Sequence, residues 1–277
     1  MLRPSAWYIL AAQEVPMTIA PALVLLILQS WKPHLAVPSS PSLHELIALR
    51  WLHLVFGIIW IGLLYFFNLV GFPTMKTLEP PTRVRVFPVL MSRAMSWFRW
   101  SALITVLVGL RYFFTILSSD AHNSGDPGLA LRWFGWWFLI WLVAYAGIYF
   151  FQLPAKGFRD SVWIRAGGIV LITVAASWVV LIQQGGPSVS NSHLSISLGG
   201  GLGFVMLLNT WGVVWRAQKR LIVWTRATAE QGTPMPPEAD RLMRWVFLTA
   251  RTSFWLSLPM LFLMGASSHY PFLTLAP

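Results

Sequence analysis

The stretch that decides the fold is Leu46–Gly71, which reads LIALRWLHLVFGIIWIGLLYFFNLVG and contains one charged side chain, that of Arg50. An α-helix needs about 20 mostly apolar residues to cross the hydrocarbon core of a bilayer, and this stretch exceeds that length. The rest of the chain has a matching composition. Its 277 residues are 56% hydrophobic and only 10% charged, with a mean hydropathy of +0.63. Soluble domains carry about a quarter charged residues, so the sequence predicts a membrane protein.

Six further apolar stretches join this one to predict an all-α, polytopic transmembrane bundle that forms a single domain over 1–277. The predicted spans are Val15–Trp31, Leu46–Gly71, Phe98–Leu117, Trp133–Leu153, Trp163–Ile182, Ile196–Val214 and Trp245–Met264. The first span, 15–31, is short. We interpret it as an extra, retained span rather than a signal peptide, because Trp31 and Lys32 stand where a small-residue cleavage site would belong.

The distribution of basic residues predicts the orientation, because Lys and Arg concentrate in the cytoplasmic segments of membrane proteins. With the N-terminus in the cytoplasm, 13 of the 20 basic residues fall in cytoplasmic segments, 2 fall in outer segments and the other five lie within the spans. The 13 are Arg3, Lys76, Arg83, Arg85, Arg93, Lys156, Arg159, Arg216, Lys219, Arg220, Arg226, Arg241 and Arg244. The sequence thus predicts seven spans in a bacterial inner membrane, with the N-terminus in and the C-terminus out. Orientation and contact with anionic lipids then account for the net charge of +11 without a nucleic-acid partner.

The chain has no cysteine. Disulfides, zinc–thiolate sites, iron–sulfur clusters and covalently attached c-type haem are therefore excluded within it, and a metal or haem would depend on His, Met or carboxylates. All six histidines fall on the outer side of the predicted topology, with His122 and His193 in outer loops. The six are His34, His44, His53, His122, His193 and His269. This one-sided distribution indicates ligand binding or chemistry near the outer face.

Ionisable side chains inside the predicted spans are the first candidates for a site, because such groups are costly in lipid and are often functional. His53 lies in the second span and Arg50 shares its helix face three residues earlier. Arg111 and Arg251 lie in the third and seventh spans. A guanidinium keeps its proton and needs an anion, a carbonyl or water. Glu45 is the nearest carboxylate for Arg50, and an anionic ligand such as haem propionates, a quinone head or a planar anion is the other class of partner. The alternatives are a neutral histidine bonded to a neighbouring helix, and arginines that extend to the interface.

Two polar or small-residue features favour helix packing. Asn209, in the middle of the sixth span, predicts a hydrogen bond between helices. Gly199 and Gly203 have the spacing of closely packed helices, and no strand precedes them as a phosphate-binding loop would require. The segment Gly232–Pro237 (GTPMPP) predicts a connector that interrupts helix.

Three segments together resemble one family, the membrane domain of bacterial PuuD-type membrane-bound urate oxidases, over about residues 46–271. The first is Arg50–Asn68, RWLHLVFGIIWIGLLYFFN; the second is Gly199–Lys219, a small-residue helix that passes an Asn and ends in Gln-Lys; the third is Leu256–Pro271, LSLPMLFLMGASSHYP. They occur in the order found in that family. By position, Arg50, His53, Asn209 and His269 match family residues.

The resemblance implies a membrane subunit of a redox or electron-transfer assembly. Family members oxidise urate and pass electrons to a fused cytochrome c domain. No Cys-x-x-Cys-His motif occurs here, so electrons would pass to a separate periplasmic cytochrome c. The sequence also departs from the family at 252–255, where Thr-Ser-Phe-Trp replaces the usual His-Asn-Asn-Tyr. A b-type haem between His53 and a second outer histidine is the candidate cofactor.

Two other functions remain open on the sequence. The departure at 252–255 favours a non-catalytic accessory subunit that packs against partner membrane proteins in a larger complex. The pattern His-x3-Gly-x2-Trp at 53–60 also occurs in HemJ-type enzymes of haem biosynthesis, which would bind a tetrapyrrole and need no cytochrome partner. All three functions place the chain among membrane lipids.

Overall fold

The computed structural model describes residues 40–154 and 160–273. The predicted first span, Val15–Trp31, lies outside these ranges. The structure is 86% helix and contains no strand in the residues that it describes. The helices in chain order are α1 Pro41–Tyr65, π1 Phe66–Gly71, α2 Phe72–Thr77, α3 Pro80–Asn123, α4 Leu129–Gln152, α5 Val162–Gln184, α6 Asn191–Leu208, π2 Asn209–Val214, α7 Trp215–Gln231 and α8 Ala239–Ala266.

Six helices in the described ranges are long and apolar enough to cross a membrane. They are Pro41–Thr77, Pro80–Asn123, Leu129–Gln152, Val162–Gln184, Asn191–Gln231 and Ala239–Ala266. Each contains most or all of one of the predicted spans from Leu46–Gly71 onward. A chain crossing lipid must satisfy its backbone groups internally, which a helix does and an irregular segment does not. The prediction of a multi-pass helical membrane protein is confirmed.

Two of the helices continue far beyond their apolar windows. The helix Pro80–Asn123 has 44 residues and Asn191–Gln231 has 41, so each is about 60–65 Å long, roughly twice the hydrocarbon thickness. Arg216, Lys219 and Arg220, predicted in a loop, are therefore part of α7. That part of the prediction was wrong, because a helix that leaves the lipid can continue in water as long as its exposed face is polar. The connector after it is confirmed: Gly232 ends α7 with φ +67°, the left-handed conformation that suits glycine.

The helices define two ends of the bundle. We call the end at which α3 and α8 finish and α6 begins the histidine end; it carries His122, His193 and His269. The opposite end, where α3 and α8 begin, is the basic end. The prediction that His122 and His193 lie in loops was wrong, because His122 is in the last turn of α3 and His193 is in the first turn of α6.

Two fully buried tryptophans, Trp137 and Trp141 on α4, form the centre of the core against α6. Gly201 lies so close to Trp141 that an added Cβ would be 1.8 Å from the indole Cε2 atom. Gly199 likewise meets α8, with the Cβ of Leu263 at 3.1 Å from the position of an added Cβ. The predicted close packing of this helix is thus confirmed for Gly199. The second member of the predicted pair is wrong, because a Cβ at Gly203 would meet nothing within 4 Å.

Candidate functional site

The side chain of His53, on α1, packs against α3. Its Nδ1 atom lies 2.9 Å from the carbonyl oxygen of Thr105, so Nδ1 carries the proton and donates it. The imidazole also lies directly over Gly109, where an added Cβ would be 2.8 Å from its Cε1 atom. One turn further along α1, a Cβ added at Gly57 would lie 3.7 Å from the Thr105 methyl group, which is ordinary van der Waals contact. The ring is thereby fixed as the tautomer whose Nε2 atom has a free lone pair, the form that ligates metals.

Two arginines lie about one turn from His53, toward the histidine end. Arg50 donates from Nε to the hydroxyl oxygen of Tyr112 at 2.8 Å, and its guanidinium carbon lies 5.1 Å from the centroid of the Tyr112 ring. Arg111, the neighbour of Tyr112 on α3, forms an ion pair with Glu45, with Nη2 and Oε1 2.7 Å apart. The structure therefore brings together Arg50, His53 and Arg111, three of the six predicted site residues.

The predicted partner of Arg50 was wrong. Glu45 pairs with Arg111 of the neighbouring helix, whereas Arg50 bonds to a tyrosine hydroxyl. Residues five apart on an α-helix are separated by about 140° around its axis, so Glu45 and Arg50 are directed to different sides of α1. The Arg111 and Glu45 side chains are 50% and 46% exposed, which makes this ion pair a weak contribution to stability.

The other predicted residues lie on α8 and π2 or beside them. His269 is exposed, with its Nδ1 atom 3.0 Å from the carbonyl oxygen of Gly265 one turn earlier. The Arg251 guanidinium lies beside two aromatic rings, 5.5 Å from the centroid of Phe247 and 5.9 Å from that of Phe254. Within the residues that the structure describes, no hydrogen bond or ion pair connects His269 or Arg251 to His53.

Asn209 belongs to a polar cluster in the bundle interior. Its Nδ2 atom donates to Ser253 Oγ on α8 at 3.0 Å, which confirms the predicted hydrogen bond between helices. Asn68 of π1 is also buried and donates to the carbonyl oxygen of Leu64 at 2.9 Å. A cavity of about 20 Å³ lies beside these groups, and its polar lining consists of Asn68, Thr210, Gln218 and Ser253. π-turns are rare and frequently mark functional sites, so this cluster is a second candidate region.

The sequence did not predict a third polar group, which is centred on His193 near the histidine end. His193 is fully buried, and its Nδ1 atom lies 3.1 Å from Asp120 Oδ2. The same oxygen accepts from the backbone N–H and the hydroxyl of Ser190, both at 2.9 Å. On the other edge of the ring, Nε2 lies 3.2 Å from Gln184 Oε1, which also accepts from Ser197 Oγ at 2.6 Å. The cluster connects the ends of α3 and α5 to the first turns of α6.

Both nitrogen atoms of His193 therefore face acceptors. The orientation of the Gln184 amide is fixed because its Nε2 atom donates to the carbonyl oxygen of Trp133 at 3.1 Å. Asp120 supplies a carboxylate on the other side. The His193 ring therefore makes a hydrogen bond at each of its two nitrogen atoms, to the Asp120 carboxyl group and to the Gln184 side-chain oxygen.

The sequence also did not predict a cluster of aromatic rings around Arg99. Its guanidinium carbon lies 3.8 Å from the ring centroid of Trp215, 5.7 Å from that of Trp211 and 5.4 Å from that of Trp100. The indole N–H of Trp211 donates to the Arg99 carbonyl oxygen at 3.0 Å. Aromatic faces thus stabilise the cation, and no ion pair between Arg99 and a carboxylate is present within 40–154 and 160–273. The spacing Trp211–Trp215, one helical turn, was the available sequence signal.

Among the residues that the structure describes, no group of three or more His, Asp or Glu side chains is arranged to hold a metal ion. A single imidazole such as that of His53 is not such a group. Comparisons with known proteins found no similarity, since no family model, no curated protein and no solved structure matches this chain.

Proposed function

We propose that this chain is a membrane subunit of a redox assembly, in which His53 ligates the iron of a b-type haem at the surface of α1 and α3. The observation that carries the proposal is the hydrogen bond of 2.9 Å between His53 Nδ1 and the Thr105 carbonyl oxygen. Histidines that bind metals almost always donate their second ring N–H to a carbonyl or carboxylate, which fixes the tautomer. The resemblance to PuuD-type urate oxidases supports the redox assignment.

The charges beside His53 suit the same ligand. Arg50 is exposed and bonds only to Tyr112 within the described residues, so its guanidinium has no carboxylate partner there. Arg111 holds the carboxylate of Glu45, which a haem propionate resembles chemically. Bound there, a haem would supply one-electron transfer. His53 would hold the iron, and Arg50 and Arg111 would bind the propionates.

We propose further that the histidine end faces the periplasm and that a separate cytochrome c takes the electrons there. The concentration of 13 basic residues in segments on the other side supports this orientation.

The test is a visible absorption spectrum of protein purified from haem-replete cells. We expect a Soret band that is lost in His53→Gln and retained in His122→Gln. His122 is the matched control because it is exposed and lies at the same end of the bundle. A colourless wild-type protein, or a His53→Gln variant with full absorbance, would contradict the proposal.

A second candidate function is that of an accessory subunit without chemistry of its own. It is favoured by the segment 252–255, where Ser253 replaces a larger family residue and accepts a hydrogen bond from Asn209. The cavity next to Ser253 measures only about 20 Å³, far less than the ~300 Å³ or more of ordinary ligand pockets. Purification of the chain within a larger complex, together with no turnover by the isolated chain, would favour this function over the first.

A further inference from the structure

The small cavity beside Asn68 contains buried oxygen atoms that have no partner. Asn68 and Gln218 are each only 3% exposed, and both line the cavity. Their side-chain oxygens, Asn68 Oδ1 and Gln218 Oε1, accept no hydrogen bond. A buried acceptor left without a donor costs about 1–3 kcal/mol. Two such acceptors on residues that line one cavity point to an occupant that donates to both.

The cavity also offers a donor. Ser253 Oγ accepts from Asn209 Nδ2 at 3.0 Å, and its own hydroxyl hydrogen has no acceptor among the described residues. Thr210, the remaining polar residue of the lining, already donates to the Met206 carbonyl oxygen at 2.9 Å. An occupant of the cavity therefore meets two acceptors, from Asn68 and Gln218, and one donor, from Ser253.

The orientation of the Asn68 amide is fixed by the backbone. Its Nδ2 atom donates to the carbonyl oxygen of Leu64 at 2.9 Å and approaches that of Ala250 at 3.5 Å. Both are acceptors, so the nitrogen must face them, and Oδ1 must be the atom left over. In a π-helical turn that departs from the α pattern, side chains of this kind satisfy displaced carbonyl groups.

Size and charge decide the occupant. A cavity of about 20 Å³ exceeds the ~10–15 Å³ that one water molecule needs and leaves no room for a larger ligand. A buried water typically makes about three hydrogen bonds, the number available here. A monovalent cation of similar size is disfavoured, because the lining contains no carboxylate and the next residues along α7 and α8 include Arg216, Lys219 and Arg251.

We infer that one ordered water molecule occupies this cavity, donates to Asn68 Oδ1 and Gln218 Oε1, and accepts from Ser253 Oγ. The water connects π1 to α7 and α8, which lie about 150 or more residues further along the chain. This inference does not depend on the function proposed for His53, because His53 does not line the cavity.

The test is a double-mutant cycle on the thermal unfolding midpoint, Tm, with Asn68→Leu and Gln218→Met, which keep side-chain size and remove the amides. If both amides bind the same water, the first substitution already removes part of the stabilisation that the second would remove. We therefore expect Gln218→Met to lower Tm by about 2–4 °C less in the Asn68→Leu variant than in the wild type. Should Asn68→Leu not fold, Ser253→Ala replaces it in the same cycle, with the same expected coupling.

Gln152→Met is the matched control. Gln152 is equally buried, its amide atoms also have no hydrogen-bond partner, and it does not line this cavity. Its effect on Tm should add to that of Asn68→Leu. Additive effects for Asn68→Leu with Gln218→Met would overturn the water bridge. A Tm raised by Na⁺ or NH₄⁺ relative to choline in wild type, but not in Asn68→Leu, would overturn it in favour of a cation.

Discussion

The Oδ2 atom of Asp120 and the Nδ1 atom of His193 lie 3.1 Å apart in the interior of the bundle, although the two residues are 73 positions apart in the sequence. His193 is fully buried and Asp120 is 5% exposed. Burying polar and charged groups is costly unless hydrogen bonds replace the ones they made to water. Ser190 and Gln184 supply those bonds, so the pair forms a fixed junction between the end of α3 and the start of α6.

The first prediction concerns this junction. Asp120→Asn replaces the carboxyl oxygen that bonds to Ser190 and His193 by an amide, so we expect a loss of about 1–3 kcal/mol in the free energy of unfolding. Denaturant unfolding in detergent, followed by tryptophan fluorescence, measures it. Asp126→Asn is the control, because the ion pair of Asp126 with Arg132 has side chains that are 51% and 62% exposed and contributes at most about 1 kcal/mol. Equal effects of the two substitutions would show that the buried pair stabilises the fold no more than the exposed ion pair does.

The second prediction concerns the position of His53. Gly109→Ala would place a methyl group 2.8 Å from the His53 Cε1 atom, which forces the ring or the helix to move. We expect a loss of about 1–3 kcal/mol of stability, and, if a haem is bound, loss of the Soret band. Calorimetry and the absorption spectrum measure the two effects.

Gly62→Ala is the control for that substitution, because a Cβ at Gly62 on α1 would meet nothing within 4 Å. It should be neutral or slightly stabilising, since alanine favours helix over glycine. An unchanged spectrum and unchanged stability in Gly109→Ala would mean that the close contact of His53 with α3 does not exist in solution.

The third prediction compares two glycines on α6. Gly201→Ala would bring a methyl group to 1.8 Å from the Cε2 atom of Trp141, and Trp141 is fully buried and has no space to move. We expect a loss of at least about 3 kcal/mol or failure to accumulate in the membrane. Gly203→Ala, two residues along the same helix, meets open space and should be tolerated. A Gly201→Ala variant as stable as Gly203→Ala would contradict the packing of α4 on α6.

The fourth prediction tests the orientation. The chain has no cysteine, so single cysteines can be introduced and labelled without a background. Asn123→Cys lies at the histidine end and Gln231→Cys at the basic end, and both positions are exposed. With the histidine end in the periplasm, a membrane-impermeant maleimide should label Asn123→Cys in intact spheroplasts and Gln231→Cys only after lysis. The reverse pattern would invert the proposed topology.

The sequence predicted part of the candidate site. It identified Arg50, His53 and Arg111, because an ionisable residue within an apolar stretch is conspicuous in a single sequence. It missed the contact between Asp120 and His193, since both lie outside the predicted spans and His193 was predicted to lie in a loop. It also assigned Glu45 to Arg50, because proximity in sequence was the only available measure of proximity in space.

The amino-acid sequence by itself determined that the chain is a helical membrane protein and where its described spans lie. Lipid imposes that result locally, since each apolar stretch must satisfy its own backbone hydrogen bonds whatever its neighbours are. Only the tertiary structure decided which residues meet: His53 with Thr105, Asp120 with His193, and Asn209 with Ser253. The reason is that helix rotation, the π-turns and the choice of neighbouring helices depend on close packing between distant segments, as at Gly201 and Trp141, and no periodicity within one segment encodes its partner.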